Sequence, residues 1–129
     1  MKTFPADLPF ENHGWINRER IICVTEDYGA LTEVGFITLK KGFLSDGGSI
    51  PKACYSIVGH PFEGYLPACA VHDLLYRKDN GYDVTRAEAD MVLRELMASI
   101  GYSWAKRWAF WSAVRAGGWK SWQKKGMNL

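Results

Sequence analysis

An imidazole and a carboxylate stand side by side at His72 and Asp73, in a mostly apolar stretch that runs from Pro67 to Arg77. A core helix gains no stability from two adjacent ionisable groups, because burying either without a partner is unfavourable. The pair is explained if His72 transfers a proton and Asp73 holds a metal ion or a second polar partner. We therefore interpret the pair as part of a functional site.

Two helices joined by a short loop are predicted around this pair. The first covers 66–77, and the turn residues 79–81 end it. Thr85 followed by Glu88 is a capping-box signature, which starts a second helix that runs from 86 to about 100. A loop this short makes the two helices antiparallel neighbours.

Asp90 on the second helix is the expected partner of His72. At about 1.5 Å rise per residue, both residues lie roughly 8 to 9 Å from the loop, so they face each other at similar height. A carboxylate that accepts a hydrogen bond from one imidazole nitrogen leaves the other nitrogen available as a base. The pattern indicates the His–Asp half of a hydrolase in which water is the nucleophile.

A hard cation would complement this pair. Asp73 points about 100° around the helix from His72, so it serves a different partner. The loop at 45–51 contains adjacent glycines, which allow the backbone to approach a ligand closely. Asp46 and the Gly47 carbonyl would complete, with Asp73, an oxygen-ligand set for Ca²⁺.

A second interpretation of the same residues stays open. The ionisable groups of the two helices would form a buried polar network that only fixes helix packing. Its members would be His72, Asp73, Tyr76, Arg86 and Asp90.

The chain has 129 residues, of which 47% are hydrophobic, and this fits one domain with a real core. We predict a mainly α-helical fold: a small N-terminal antiparallel β-sheet, the two antiparallel helices with the His–Asp pair, and a third packing helix at about 104–116. Along the chain, the expected segments are an irregular arm (1–20), a β-hairpin with the glycine-rich loop (21–50), a helical core (65–117) and a basic aromatic tail (118–129).

Positive charge is concentrated near the C-terminus. The segment 103–129 has no acidic residue and contains six basic residues and five tryptophans. We expect Trp104, Trp108 and Trp111 to pack as core, because their spacing places them on one helical face. The expected interaction residues are Trp119, Lys120, Trp122, Lys124 and Lys125. Their partner would be a lipid or membrane surface or an acidic protein, while nucleic acid is not expected; a packing helix with solvated lysines is the alternative.

The cysteines and the N-terminus bear on the compartment. Cys23, Cys54 and Cys69 form no metal-ligand spacing, so we interpret them as reduced thiols. The first residues lack an apolar signal region. We therefore expect synthesis, without a signal peptide, in the cytoplasm of the cell that makes the protein.

Three motifs in order resemble a family of small uncharacterised proteins that is common in tailed phages and prophages. They are Ser-Asp-Gly-Gly-Ser-Ile-Pro from Ser45, His-Asp-Leu-Leu-Tyr-Arg from His72, and Arg-Ala-Glu-Ala-Asp from Arg86. This resemblance covers about 42–119. It implies a virion component of the tail or tail tip, with phage structural proteins as partners.

The same residues resemble the bacterial and fungal secreted phospholipase A2 group. The resemblance implies a phospholipase A2-like fold and a Ca²⁺-dependent lipid ester hydrolase. In it, His72 would activate water, Asp90 would orient His72, and Asp46, Gly47 and Asp73 would bind Ca²⁺. Tyr76, Arg77 and Arg86 would support the site. The cysteine of that group's calcium loop is Gly48 here, so its disulfide to Cys69 is not expected. The non-enzymatic virion component that retains this scaffold is the alternative function.

Overall fold

The computed structural model describes residues 1–16, 19–45, 65–78, 80–120 and 122. Within them, six strands form two three-stranded sheets. The first sheet has the order β1-β4-β5 and consists of β1 (Lys2–Thr3), β4 (Tyr28–Thr32) and β5 (Gly35–Leu39). The second has the order β2-β3-β6 and consists of β2 (Phe10–Ile16), β3 (Glu19–Val24) and β6 (Leu44–Ser45). β1 pairs with β4 in parallel, and the other neighbours are antiparallel.

The prediction of a mainly α-helical fold is wrong, because the chain is α+β. The predicted irregular arm contains β2, whose side chains from Phe10 to Trp15 are all exposed. That strand is held by backbone pairing with β3 and, from Phe10 to Trp15, has no buried side chain. Hydrophobic alternation, the sequence signal for a half-buried strand, is therefore missing.

The hairpin of the first sheet turns at Glu33-Val34, between β4 and β5. The Thr32 hydroxyl accepts a hydrogen bond from the Val34 amide at 3.2 Å and donates one to the Gly35 carbonyl at 2.8 Å. Gly35 has a φ of 117°, which side-chain-bearing residues rarely adopt. The hydrogen bonds of the Thr32 side chain and the ability of Gly35 to adopt a positive φ thus determine where the chain turns.

Three α-helices follow in the described part of the chain: α1 (Leu66–Tyr76), α2 (Arg86–Ser99) and α3 (Trp104–Gly117). The predicted capping box is confirmed, with reciprocal hydrogen bonds between Thr85 and Glu88 at the start of α2. Ser103 caps α3 by accepting from the Lys106 amide. The Asn80 side chain donates to the Leu75 carbonyl in the last turn of α1 and to the carbonyl of Arg77, the first residue after the helix, and so caps its end.

The core lies between the sheets and the helices. β5 packs on α1, β4 on α2, and α2 lies between α1 and α3. Both the sheets and the helices contribute large, fully buried side chains to this core, among them Tyr28, Ile37, Leu39, Leu75, Leu93, Leu96 and Phe110. α1 is therefore fixed from two sides, by β5 and by α2. Among the described residues, no helix has both the length and the apolar character needed to cross a membrane.

Candidate functional site

α1 carries two rows of polar side chains that point in different directions. His72 and Tyr76 lie four residues apart on one row, and Asp73 and Arg77 lie four apart on the next. The first row faces α2, and the second faces β6. All four side chains are buried, with 7% or less of each residue exposed. The rows form two polar clusters that share one helix.

The Asp90 carboxylate is the centre of the first cluster. His72 Nε2 lies 2.8 Å from Asp90 Oδ1, and the Tyr76 hydroxyl donates to the same oxygen. Arg115 Nη1 from α3 donates to Oδ2 at 2.9 Å. Asp90 itself is completely buried. Three donors from two neighbouring helices therefore converge on one buried carboxylate.

The surroundings of Asp90 keep it ionised. Burial raises the pKa of Asp90, but the hydrogen bonds from His72, Tyr76 and Arg115 outweigh burial, so the pKa is below its usual value. Burial, followed by the hydrogen bond to Asp90, raises the pKa of Tyr76, which stays a donor. The carboxylate can therefore act only as an acceptor toward its neighbours.

This charge state determines the tautomer of His72. Because Asp90 accepts, Nε2 of the imidazole must carry the proton of their hydrogen bond. The other nitrogen, Nδ1, makes no hydrogen bond to any residue that the structure describes. A neutral His72 thus presents the Nδ1 lone pair, which is the group needed to take a proton from water.

Asp73 is the centre of the second cluster. Its Oδ2 accepts from the Ser45 hydroxyl at 2.8 Å and from Arg77 Nη2 at 2.8 Å. Arg77 Nη2 also donates to the Leu44 carbonyl, and its guanidinium lies 5.0 Å from the centre of the Phe43 ring. The pairing of β6 with β3 places Leu44 and Ser45 against α1. The second cluster therefore ties α1 to the sheet.

The calcium prediction rests largely on residues outside those described. Asp46 and Gly47 lie in the undescribed segment 46–64, which leaves Asp73 as the one described member of the expected ligand set. Oδ2 of Asp73 is engaged by a guanidinium, whose positive charge competes with a cation. Among the described residues, no group of three or more His, Cys, Asp or Glu side chains converges. The described residues thus supply only Asp73 of the three expected ligands, and we derive no chemical step through a calcium ion.

The two arginines near Asp90 have different roles. Arg86, expected to support the site, donates to the Val114 and Arg115 carbonyls at 3.4 and 3.1 Å and lies 3.9 Å from Asp90 Oδ2. It thus satisfies carbonyls in the last turn of α3. Arg115 binds Asp90 directly and was missed by sequence analysis. Its position after Trp104, Trp108 and Trp111 on one helical face is a signal, but the contact depends on the docking of α3.

The expected interaction residues of the tail are placed only in part. Trp119 is 63% exposed. Trp122 packs edge-on against Tyr76, with ring centres 5.2 Å apart, and is half-buried. Lys124 and Lys125 lie outside the described residues, and for Lys120 only the backbone is described. The basic tail stays a prediction.

The Tyr76 hydroxyl lies so close to the backbone of Gly118 that there is no room for a side chain at this position. A Cβ atom at Gly118 would lie 2.7 Å from that hydroxyl and 3.3 Å from Arg86 Nη1. We predict that Gly118→Ala displaces Tyr76 from Asp90 and lowers the free energy of unfolding by about 1 to 3 kcal/mol, as overpacking does. Denaturant unfolding measures this. Gly117→Ala, at the exposed preceding residue, is the control and should be neutral or slightly stabilising. Equal changes in the free energy of unfolding for the two variants would contradict this account.

An open cavity of about 440 Å³ is separate from the two polar clusters. Leu74 lines it together with Phe43 and Tyr82. On α1, Leu74 lies about 200° from His72, so the cavity is on the opposite side of the helix. It contains neither His72 nor Asp90, and we assign it no role in proton transfer.

Comparisons with known proteins give a family for this arrangement but no activity. No curated protein and no solved structure shows significant similarity to the chain. A family model described as "Protein of unknown function (DUF1353)" matches residues 22–114. The matched range includes β4, β5, α1 and α2 and therefore His72, Asp73 and Asp90. The chain belongs to the DUF1353 family.

Proposed function

We propose that the chain hydrolyses carboxylic esters of lipids, with His72 as the base that activates water and Asp90 as the group that orients it. The observation that carries this proposal is the 2.8 Å contact between His72 Nε2 and a buried, ionised Asp90. That contact fixes the tautomer with Nδ1 as the acceptor. Lipid as the substrate class rests on the resemblance of Cys69, His72, Asp73, Tyr76 and Arg77 to the secreted phospholipase A2 group.

The proposed reaction needs two proton transfers and no covalent enzyme intermediate. Water attacks the ester carbonyl carbon while Nδ1 of His72 takes one of its protons, and a tetrahedral oxyanion forms. The imidazolium is stabilised by the carboxylate of Asp90. As the intermediate collapses, the ester C–O bond breaks and the imidazolium returns its proton to the leaving alkoxide. The products are a fatty acid and an alcohol, and His72 is neutral again.

The surrounding residues would hold this geometry. Tyr76 and Arg115 occupy two further acceptor positions of Asp90, so the carboxylate cannot rotate away from His72 without losing two further hydrogen bonds. The developing oxyanion requires positive charge or hydrogen-bond donors. A bound Ca²⁺ would supply such charge, and Asp73 with Asp46 and Gly47 remains the proposed ligand set.

The identity of the products tests this function. The purified chain is incubated with a phospholipid that carries different acyl chains at its two positions, with Ca²⁺ and separately with a calcium chelator. We expect mass spectrometry to show a lysophospholipid and one free fatty acid in equal amounts. Loss of both products in the chelator would support the calcium ligand set. Absence of products under both conditions would contradict the proposed function.

A non-enzymatic component of a phage particle is the second candidate. It is favoured by the burial of His72, which is 4% exposed, and by the ion pair that Arg77 makes with Asp73. Both features suit a polar network that fixes helix packing. A stable complex with a phage structural protein, formed by a chain that yields no lipid product, would support this candidate.

A further inference from the structure

The tryptophans of α3 do not pack in the core, contrary to the sequence prediction. Trp104 is 66% exposed, and Trp108 and Trp111 are half-buried. α3 instead buries Phe110 and Val114 against the other helices. At 100° per residue, the three tryptophans lie within about 60° of one another, on a face beside the buried one. The structure thus leaves a row of three indole rings at the surface.

A cation is stacked on this row. The Arg94 guanidinium lies 4.0 Å from the centre of the Trp108 ring and 5.0 Å from that of Trp111. Neighbouring rings of the row are 6.0 Å and 5.3 Å apart. Arg94 comes from α2, one helical turn after Asp90. The stacking keeps a positive charge against aromatic rings at the outer surface of the two helices.

The part of the sequence that contains α3 carries only positive charges. No acidic residue follows Glu95, while 96–129 contains six lysines and arginines. Arg107 in the first turn of α3 is half-buried and lies about 40° around the helix from Trp111, beside the row. We name Trp104, Trp108 and Trp111 with Arg94 and Arg107 the tryptophan face. Its charge is complementary to an anionic surface.

We propose that the tryptophan face binds the surface of a membrane that contains anionic phospholipids. Indole rings are enriched at the boundary between headgroups and acyl chains, where an apolar body with one polar N–H is stable. Arginines beside the rings are attracted to anionic headgroups. A groove for a folded protein partner would instead be expected to bury the aromatic residues at its centre and keep the charges at its rim.

The face is linked to the candidate site through Arg115. At 100° per residue, Arg115 continues the row of Trp104, Trp108 and Trp111 along α3, and it donates to Asp90. Docking on a membrane would therefore bring the His72–Asp90 cluster to the lipid side of the molecule. This link rests on the proposed function, whereas membrane binding itself does not.

Vesicles of ether-linked phospholipids test membrane binding apart from hydrolysis, because they contain no carboxylic ester. One set contains equal parts of phosphatidylglycerol and phosphatidylcholine, and the other contains phosphatidylcholine alone. We expect co-sedimentation with the first set, weaker binding at high salt, and a blue shift of tryptophan emission. Trp104→Ser should weaken binding about tenfold, by loss of inserted apolar area. Arg107→Glu should weaken it roughly tenfold or more.

Two exposed residues of the sheets give matched controls. Trp15 is 69% exposed on β2, so Trp15→Ser removes an equally exposed ring far from α3, and Lys2→Glu makes the same charge change on β1. Both controls should bind as the unmodified chain does. The proposal is overturned if the folded chain does not bind anionic vesicles. It is also overturned if the controls weaken binding as much as the face variants, or if the face variants only abolish self-association. Failure of the product assay with intact vesicle binding would reject the hydrolase alone.

Discussion

Replacing Asp90 with alanine is expected to lower the free energy of unfolding by about 3 to 5 kcal/mol, which is the usual cost of removing one partner from a buried ionic network. Three groups lose their acceptor at once: the His72 imidazole, the Tyr76 hydroxyl and the Arg115 guanidinium. Because a domain of this size is stable by only about 5 to 15 kcal/mol, the change should be evident in denaturant unfolding.

Asp83→Asn is the matched control, since Asp83 is exposed in the loop before α2. It should change the free energy of unfolding by no more than about 0.5 kcal/mol. Asp90→Asn should cost less than Asp90→Ala, because the amide oxygen still accepts one hydrogen bond. A cost below about 1 kcal/mol for Asp90→Ala would contradict the convergence of three donors on this carboxylate.

The stability that Asp90 contributes should depend on pH with a definite sign. Its pKa in the folded chain is below the unfolded value of 3.8, because the hydrogen bonds and charges around it outweigh the opposing effect of burial. The ionised carboxylate therefore stabilises the fold fully above about pH 4 to 5, and this stabilisation is lost as pH falls through the folded pKa. The free energies of unfolding of the unmodified chain and of Asp90→Asn should therefore approach each other as the pH is lowered. A difference between them that stays constant to acidic pH would contradict the lowered pKa of Asp90.

The helices and the meeting of His72 with Asp90 could be predicted because their determinants are local. Thr85 with Glu88 and Ser103 with the Lys106 amide start helices through contacts within four residues, and these starts are confirmed. Once the start of α2 and the end of α1 are known, the rise per residue places the two side chains opposite each other. Their separation of 2.8 Å agrees with that expectation.

The sheets could not be predicted because strand pairing joins distant residues. From Phe10 to Trp15, β2 has no buried side chain from which alternation could be detected, and the strand depends on pairing with β3. The Arg115–Asp90 and Arg77–Leu44 contacts join elements that are 25 and 33 residues apart. Likewise, the spacing of Trp104, Trp108 and Trp111 defines a face but not whether that face is covered. In each case the missing information is how one element docks on another.

Replacing His72 with glutamine is expected to lower the rate of lipid ester hydrolysis by a factor of about 10² to 10⁴, the usual contribution of a general base. Glutamine retains an amide N–H that can donate to Asp90, but it has no nitrogen lone pair that can accept a proton at neutral pH. The fold should therefore survive while the chemistry is lost. The control is His13→Gln, which changes an exposed histidine on β2 and should leave the rate unchanged.

The most direct test of a hydrolytic His72–Asp90 site is the initial rate of fatty acid release by the unmodified chain and by His72→Gln. Both are assayed on the same phospholipid dispersed in detergent, which makes the rate independent of membrane docking, and circular dichroism verifies that both are folded. We predict a clear rate for the unmodified chain and for His13→Gln, and a rate at least about a hundredfold lower for His72→Gln. Equal rates for the folded unmodified chain and His72→Gln would show that His72 is not the base and would contradict the proposed function.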